Sequence, residues 1–309
     1  MGDAVAAFYA ANSNLINTVG LNTILALSVY VMLACGQLSL ASPAYAAVGA
    51  YSAALLTLNT SWPFAVQLVA GTLLAGLAAF LLGLPLLRLR GVYLAIATVG
   101  FVAVVQVAFT NITVNGPTPD ALPSLNGGAG TAYIPPATAP WQIYLTVVVL
   151  CYLFWRLEGS ALGRNFKAIR QDEEAARALG VATVAHKLGA FTVSGLLAGL
   201  YGVLFARLHF FVDPATFDFN LGLDALTYVI VGGSLTFLGS PLGAVLITVL
   251  PEALRFLQGL RAVADGVILL LVILFLPGGL VALPARLLAL VRTRAAHERA
   301  STHAAEKSA

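Results

Sequence analysis

Residues 159–187 read GSALGRNFKAIRQDEEAARALGVATVAHK, and the reading of this stretch decides the fold. Only 9% of the 309 residues are charged, yet Arg164, Lys167, Arg170, Asp172, Glu173, Glu174, Arg177 and Lys187 all fall here. Long apolar runs flank it. A polar island in such a chain is either the outside of a soluble core or a loop that a membrane leaves in water. Composition favours the membrane, because 60% of the residues are hydrophobic, well above the roughly 45–50% of a globular average. Runs of about 20 apolar residues match a hydrocarbon layer of roughly 30 Å. The expected fold class is therefore all-α: a polytopic helical bundle of about 8–10 transmembrane segments.

Within the island a short helix is punctuated at both ends. Asp172 is placed to cap it by accepting backbone N–H bonds. Glu173 and Glu174 sit in the first turn and Arg177 near the end, as the helix dipole favours. Gly180 supplies a stop that tolerates a left-handed backbone. A helix of about two turns is marginal alone in water, so it needs a surface to lie on. Two readings follow: a docking element for a partner, or an amphipathic connector resting on lipid headgroups.

Outward from the island, apolar segments are expected at 15–35, 42–58, 64–87, 93–112, 141–154, 188–208, 226–238, 242–257 and 263–276. Residues 1–285 form one membrane unit, and 286–309 a polar, disordered tail. Arg88 and Arg90, the stretch 156–187 and the tail hold 13 of the 16 lysines and arginines. Nine spans put all three on one face, which the positive-inside rule assigns to the cytoplasm together with the C-terminus. Arg207, Arg255 and Arg261 stand outside this count. The N-terminus lacks the basic start of a cleaved signal peptide, so the first segment is expected to be retained as a span. The Pro- and Gly-rich run 115–140 has no basic residue, falls on the opposite face and cannot be a long helix. It reads as a loose connector or as a lip for an external partner.

No nucleophile elbow, zinc motif, phosphate loop or Cys/His cluster is present, so catalysis and ATP hydrolysis by this chain are not expected, nor is a metal or cofactor. The net charge of +3 follows membrane sidedness and does not point to nucleic acid. Cys35 and Cys151 fall in apolar segments as small buried hydrophobes. Polar side chains within apolar runs are costly unless they face a cavity or a partner. Gln37, Ser39, Ser42 and Tyr45 cluster near a helix break at Pro43, with Thr98, Gln106 and Asn111 in the fourth segment. These are candidates to line a translocation path; hydrogen bonds between helices are the alternative. Glu252 and Asp265 lie near segment ends. Gly49, Gly71, Gly76, Gly195, Gly199 and Gly202 predict close helix packing. LASPAYA at 40–46 echoes LGSPLGA at 238–244, a weak sign of an internal repeat.

Several separated motifs carry a resemblance over roughly residues 21–280. GRNFKAIRQDEEAARALG with KLGAFTVSGLLAGLYGVLFA, LRLRGVYLAIATVGF, GQLSLASPAYAAVGAYSAALL, VIVGGSLTFLGSPLGAVLITVLPEALRF and LFLPGGL resemble the M-type permease subunits of bacterial branched-chain amino acid ABC importers. The resemblance implies an inner-membrane subunit working with a sister permease, two cytoplasmic ATPase subunits that bind the ATP, and a periplasmic binding protein. Asp172, Glu173, Glu174, Ala175, Ala176, Arg177 and Gly180 would then form a cytoplasmic coupling helix seated in an ATPase groove. Glu174-Ala175-Ala176 and Gly180 resemble the E-A-A-x-x-x-G loop of ABC importers, although no proline follows before Pro214. The implied substrates are leucine, isoleucine and valine, with urea, short amides, other amino acids and aromatic acids carried by related systems. A stand-alone secondary transporter or channel would instead require ionisable groups at mid-membrane, and a membrane enzyme would require a reactive constellation.

Overall fold

The computed structural model describes residues 2–60, 62–89, 91–115, 125–131, 140–253, 266, 270 and 279–282, with side chains from residue 13 onward. Ten α-helices are laid out among the described residues: α1 (Gly2–Ala34), α2 (Ser42–Asn59), α3 (Phe64–Leu86), α4 (Val92–Asn111), α5 (Pro140–Gly159), α6 (Ala161–Gln171), α7 (Glu173–Ala178), α8 (Thr183–His209), α9 (Phe219–Gly232) and α10 (Gly239–Ala253). Stretches within α1, α3, α4, α5 and α8 are long and apolar enough to cross a membrane, and α9 and α10 are shorter apolar helices. Of the expected ninth segment only residues 266 and 270 are described, and Asp265, Arg255, Arg261 and the tail lie outside the described residues.

Burial sorts these spans. In their most apolar windows α1 is 72% buried and α8 61%, against 28%, 22% and 17% for α3, α4 and α5. α8 is the central post, packed on α1, α2 and α3. The outer helices leave Leu73, Leu77, Leu81, Ile96, Val104, Val148 and Tyr152 exposed, as expected of a lipid-facing surface.

The packing of α8 depends on residues without bulk. A Cβ on Gly202 would stand 1.9 Å from the Ala46 carbonyl oxygen, and one on Gly49 would stand 2.2 Å from that of Gly199. Gly195 and Gly199 lie against Ala79 and Ala75 of α3 in the same way. Without a hydrophobic driving force between helices in lipid, such close approach is the main source of packing energy. Gly202→Leu meets backbone that cannot yield, and we expect a loss of at least ~3 kcal/mol, the upper end of overpacking costs. Loss of the monodisperse peak in detergent size-exclusion chromatography checks it.

Between α1 and α2 the chain leaves the helix. Gly36 adopts φ +74°, its N–H donates to the Leu33 carbonyl (3.0 Å), and the Gln37 N–H donates to the Met32 carbonyl (2.9 Å). This is a left-handed helix stop. A side chain here would also strike the Arg170 backbone, since a Cβ would lie 2.9 Å from its Cα. Residues 37–41 then run without helical structure, with Gln37, Ser39, Leu40 and Ala41 buried.

The basic end carries Arg88, the end of α5, α6, α7 and the start of α8. Ser160 caps α6, accepting from the Gly163 N–H (3.4 Å). The amphipathic α6 buries Gly163, Phe166 and Ile169. At the opposite end, Thr113–Val114 (β1) pairs antiparallel with Leu125–Asn126 (β2), and Thr131 bridges to Val212 beyond α8. The described part of this Pro/Gly-rich loop is therefore tied down by backbone bonds. Residues 116–124 and 132–139 lie outside the description.

Candidate functional site

The punctuation expected of the short helix α7 is present. The Asp172 carboxylate accepts from the N–H groups of Glu174 (2.9 Å) and Ala175 (3.0 Å). At the other end Gly180 has φ +87°. Its N–H donates to the Arg177 carbonyl (3.0 Å), and the Val181 N–H donates to the Ala176 carbonyl (3.1 Å). Both ends of a six-residue helix are thus satisfied, which offsets its costly nucleation. Asp172 also closes α6, so a single residue joins the two helices.

α7 is held to the bundle through Glu173. Lys187 Nζ of α8 lies 2.5 Å from Glu173 Oε2, and Arg177 Nη2 lies 3.2 Å from Glu173 Oε1. Arg177 also donates to the Thr183 hydroxyl (3.3 Å). The Lys187 side chain is 12% exposed and that of Arg177 52%, so most of the tethering falls to the lysine pair, exposed pairs being worth a few tenths of a kcal/mol. Ala176 turns inward at 2% exposure, whereas Leu179 is 84% exposed. Glu174, Ala175, Arg177 and Ala178 share the open side. Of the residues assigned to this helix, Ala176 therefore supports it from beneath and is not part of the presented face.

Below α7 lies a polar node that the sequence did not announce. Glu158 Oε1, at the end of α5, accepts from the Tyr30 hydroxyl of α1 (2.5 Å) and from the Phe237 N–H between α9 and α10 (2.7 Å). Arg170 of α6 donates to the Ser234 carbonyl (2.8 Å) and to the Ser234 hydroxyl (3.1 Å) in the same loop. Charge-assisted bonds of this kind are about twice as strong as neutral ones. The node joins the base of the α6–α7 unit to α1 and to the α9–α10 hairpin.

The predicted path residues fall into two groups. Thr98 and Ser39 serve the backbone of the break: Thr98 Oγ1 accepts from the Leu40 N–H (3.1 Å), and Ser39 Oγ from the Ala41 N–H (3.3 Å). Non-helical backbone at membrane depth needs such partners. In contrast Gln37 Oε1, Ser42 Oγ and Tyr45 Oη are buried with no hydrogen-bond partner among the described residues. Tyr45 packs beside Phe101, with ring centroids 6.0 Å apart. All five residues are 5% exposed or less, closed off within this chain. Gln106, further along α4, is half-buried, and its carbonyl accepts from the Thr110 hydroxyl. Ser240, which matches Ser42 in the internal echo, likewise has a buried hydroxyl without a partner among the described residues.

Three further residues carry no assigned role in the sequence reading. Arg207, at the opposite end of α8, is 4% exposed. It donates to Thr57 Oγ1 (2.6 Å) and to Gln67 Oε1, and its guanidinium lies over the Phe64 ring at 5.3 Å. It is a buried tie from α8 to the α2–α3 hairpin, which explains why it departs from the charge rule. His186 Nε2 sits 3.0 Å from Asn165 Nδ2, joining α6 to α8. Asp224 is an exposed acid inside the apolar helix α9, and its signal was a lone carboxylate in an otherwise apolar run. Cys35 is fully buried, at 0% exposure. We expect no maleimide labelling of Cys35 in the folded chain and full labelling in denaturant, read by mass spectrometry.

A bundle of apolar helices around a glycine-packed post, with a short charged helix capped and tethered at one end, defines a polytopic membrane protein. The chain belongs to the family described as branched-chain amino acid transport system / permease component, whose model matches residues 12–276. It is 33% identical over 287 residues to the high-affinity branched-chain amino acid transport system permease protein LivM of Salmonella typhimurium, and equally to that of Escherichia coli K12. Both alignments cover 85% of this chain and 66% of the relative. It is 27% identical over 212 residues to the autoinducer 2 import system permease protein LsrC of Escherichia coli, an alignment covering 66% of this chain and 60% of the relative. The chain therefore spans somewhat under two thirds of the length of these relatives. No solved structure matches it.

Proposed function

We propose that this chain is the membrane permease subunit of an ATP-driven ABC importer. In this reading it forms half of a translocation path for branched-chain amino acids or related small polar solutes delivered by a periplasmic binding protein. The membrane is the bacterial inner membrane, with the basic end and the C-terminus in the cytoplasm. The chain pairs with a sister permease and with two ATPase subunits that carry the ATP, and it holds no cofactor itself. The observation that carries the reading is α7: a helix too short to stand alone, capped at both ends, fastened through Glu173, and followed by Leu179 at 84% exposure. The rest of its open side, Glu174, Ala175, Arg177 and Ala178, is charged or small, which suits a protein groove better than an acyl-chain layer.

The node supplies the link from docking to transport. A displacement of α7 passes through Asp172 to α6, and through Arg170 to Ser234 and the α9–α10 hairpin. Glu158 holds the same hairpin to α1. The stretch 37–45, whose Gln37, Ser42 and Tyr45 have no hydrogen-bond partner among the described residues, packs beside α9, since a Cβ on Gly222 would meet Pro43 and the Leu40 carbonyl. Movement of the hairpin therefore bears on the polar groups that a solute would meet. Their weak polarity suits a path whose selectivity lies in the binding protein.

The test is to express the tagged chain with its neighbouring permease and ATPase genes and to purify it in mild detergent. A stable complex whose ATPase activity rises with one loaded binding protein supports the reading, and the ligand giving the rise identifies the substrate. A chain that purifies alone and moves solute into liposomes without ATP contradicts it and establishes a secondary transporter.

A further inference from the structure

At the corner of α5 and α6 lies a groove of about 630 Å³ lined by Leu153, Trp155, Arg156, Leu157, Ser160 and Leu162, with Gly159 on its wall. Leu157 and Leu162 also wall an adjacent cleft of about 270 Å³ between α6 and the basic end of α8, lined further by Val31, Phe166, Gly189 and Val193. The two legs differ in chemistry. The first is cationic: Arg156 lines it, and Arg164 reaches its wall by donating to the Gly159 carbonyl (3.1 Å). The second is apolar and opens outward past Leu162 (52% exposed) and Val193 (38%).

The depth of the groove in the membrane follows from α5. Trp141 and Trp155 are both more than half exposed, at its two ends. Exposed tryptophans favour the membrane–water interface, and Trp155 stands beside Arg156 at the basic end of α5. Trp155 therefore places the cationic leg at headgroup level and the apolar leg at acyl-chain level. Guanidinium groups match phosphate in geometry as well as charge. A soluble anion has no use for the apolar leg, and an uncharged amphiphile has none for the arginines. We infer that this groove binds one anionic phospholipid of the leaflet at the basic end. Its phosphate sits on Arg156 and Arg164, and one acyl chain lies over Leu157, Leu162 and Gly189. The lipid braces α6, which carries α7, from the membrane side.

Native mass spectrometry of the full chain in detergent tests this, titrating phosphatidylglycerol against phosphatidylcholine of the same acyl chains. Each arginine at an anionic lipid surface favours it about fivefold, so the chain should retain one phosphatidylglycerol with a clear preference. The double variant R156Q/R164Q should lose that preference while still folding, because both side chains stand at the surface. Gly189→Phe fills the apolar leg from a position with nothing within 4 Å of the new Cβ, and it should weaken both lipids. The inference is overturned if the double variant keeps the wild-type preference. It is also overturned if inorganic phosphate displaces the lipid while Gly189→Phe has no effect, which leaves a bare anion site. Efficient cross-linking of L162C to a second protein in native membranes would overturn it as well, by giving the groove to a protein. None of these outcomes depends on the chain transporting anything, so failure here leaves the proposed function standing.

Discussion

Leu179→Asp is expected to leave the chain folded and membrane-inserted while cutting binding-protein-stimulated ATPase activity of the assembled complex by at least roughly 30-fold. Leu179 is 84% exposed and follows the last residue of α7, so the free chain gives up little when it changes. The cost appears only where a partner covers it. Burying an unpaired carboxylate in an apolar groove is strongly unfavourable, and loss of a central contact in a protein interface commonly costs 2 kcal/mol or more, a factor of about 30. Two controls separate docking from folding. Glu174→Gln, on the same open face, should reduce coupling more mildly. Ala176→Leu, which pushes a side chain into the packed inner face, should lower the stability of the purified chain itself. If Leu179→Asp leaves stimulated ATPase activity at the wild-type level, α7 is a surface connector.

Glu158→Leu should destabilise the chain itself by about 2–6 kcal/mol, read as a lower midpoint of thermal unfolding in detergent. One carboxylate oxygen serves both the Tyr30 hydroxyl and the Phe237 N–H. Removing it leaves two donors unmatched, each costing about 1–3 kcal/mol. Tyr30→Phe removes one donor together with its need, and about 1 kcal/mol is expected. The ordering tests the node directly: if Tyr30→Phe costs as much as Glu158→Leu, the carboxylate is not the shared anchor. In the assembled complex Glu158→Leu should also raise unstimulated ATPase activity relative to transport, because it frees the hairpin from α1.

The spans were legible because apolar length and punctuation are local properties. Ser42, Phe64 and Gly180 each mark a boundary that the chain respects. The close-packing glycines were legible as well, since small residues in a lipid-embedded helix have few other uses. α6 was missed, although Ser160 as a cap and Leu162, Phe166 and Ile169 at helical spacing announce it; the surrounding charge hid a helix lying along the membrane surface. α9 begins at Phe219, capped by Asp218, seven residues before its apolar run was placed. The lone Asp224 had masked that start. The node could not be read at all, because Tyr30, Glu158, Arg170 and Ser234 lie far apart in sequence and each alone resembles an ordinary interfacial residue. The presumed path residues show the same limit. Their polarity was visible, but only the fold separates Thr98 and Ser39, which satisfy the broken backbone, from Gln37, Ser42 and Tyr45, which have no partner among the described residues.

The docking of α7 is tested most directly by placing a photo-cross-linking amino acid at Leu179 in cells that express the full transport operon. The predicted result is a single adduct with an ATPase subunit, whose yield changes with bound nucleotide, while the same probe at the inward-facing Ala176 gives none. An adduct with lipid alone, or with no protein despite an intact complex, contradicts the assignment of α7 as the element that couples this chain to ATP hydrolysis.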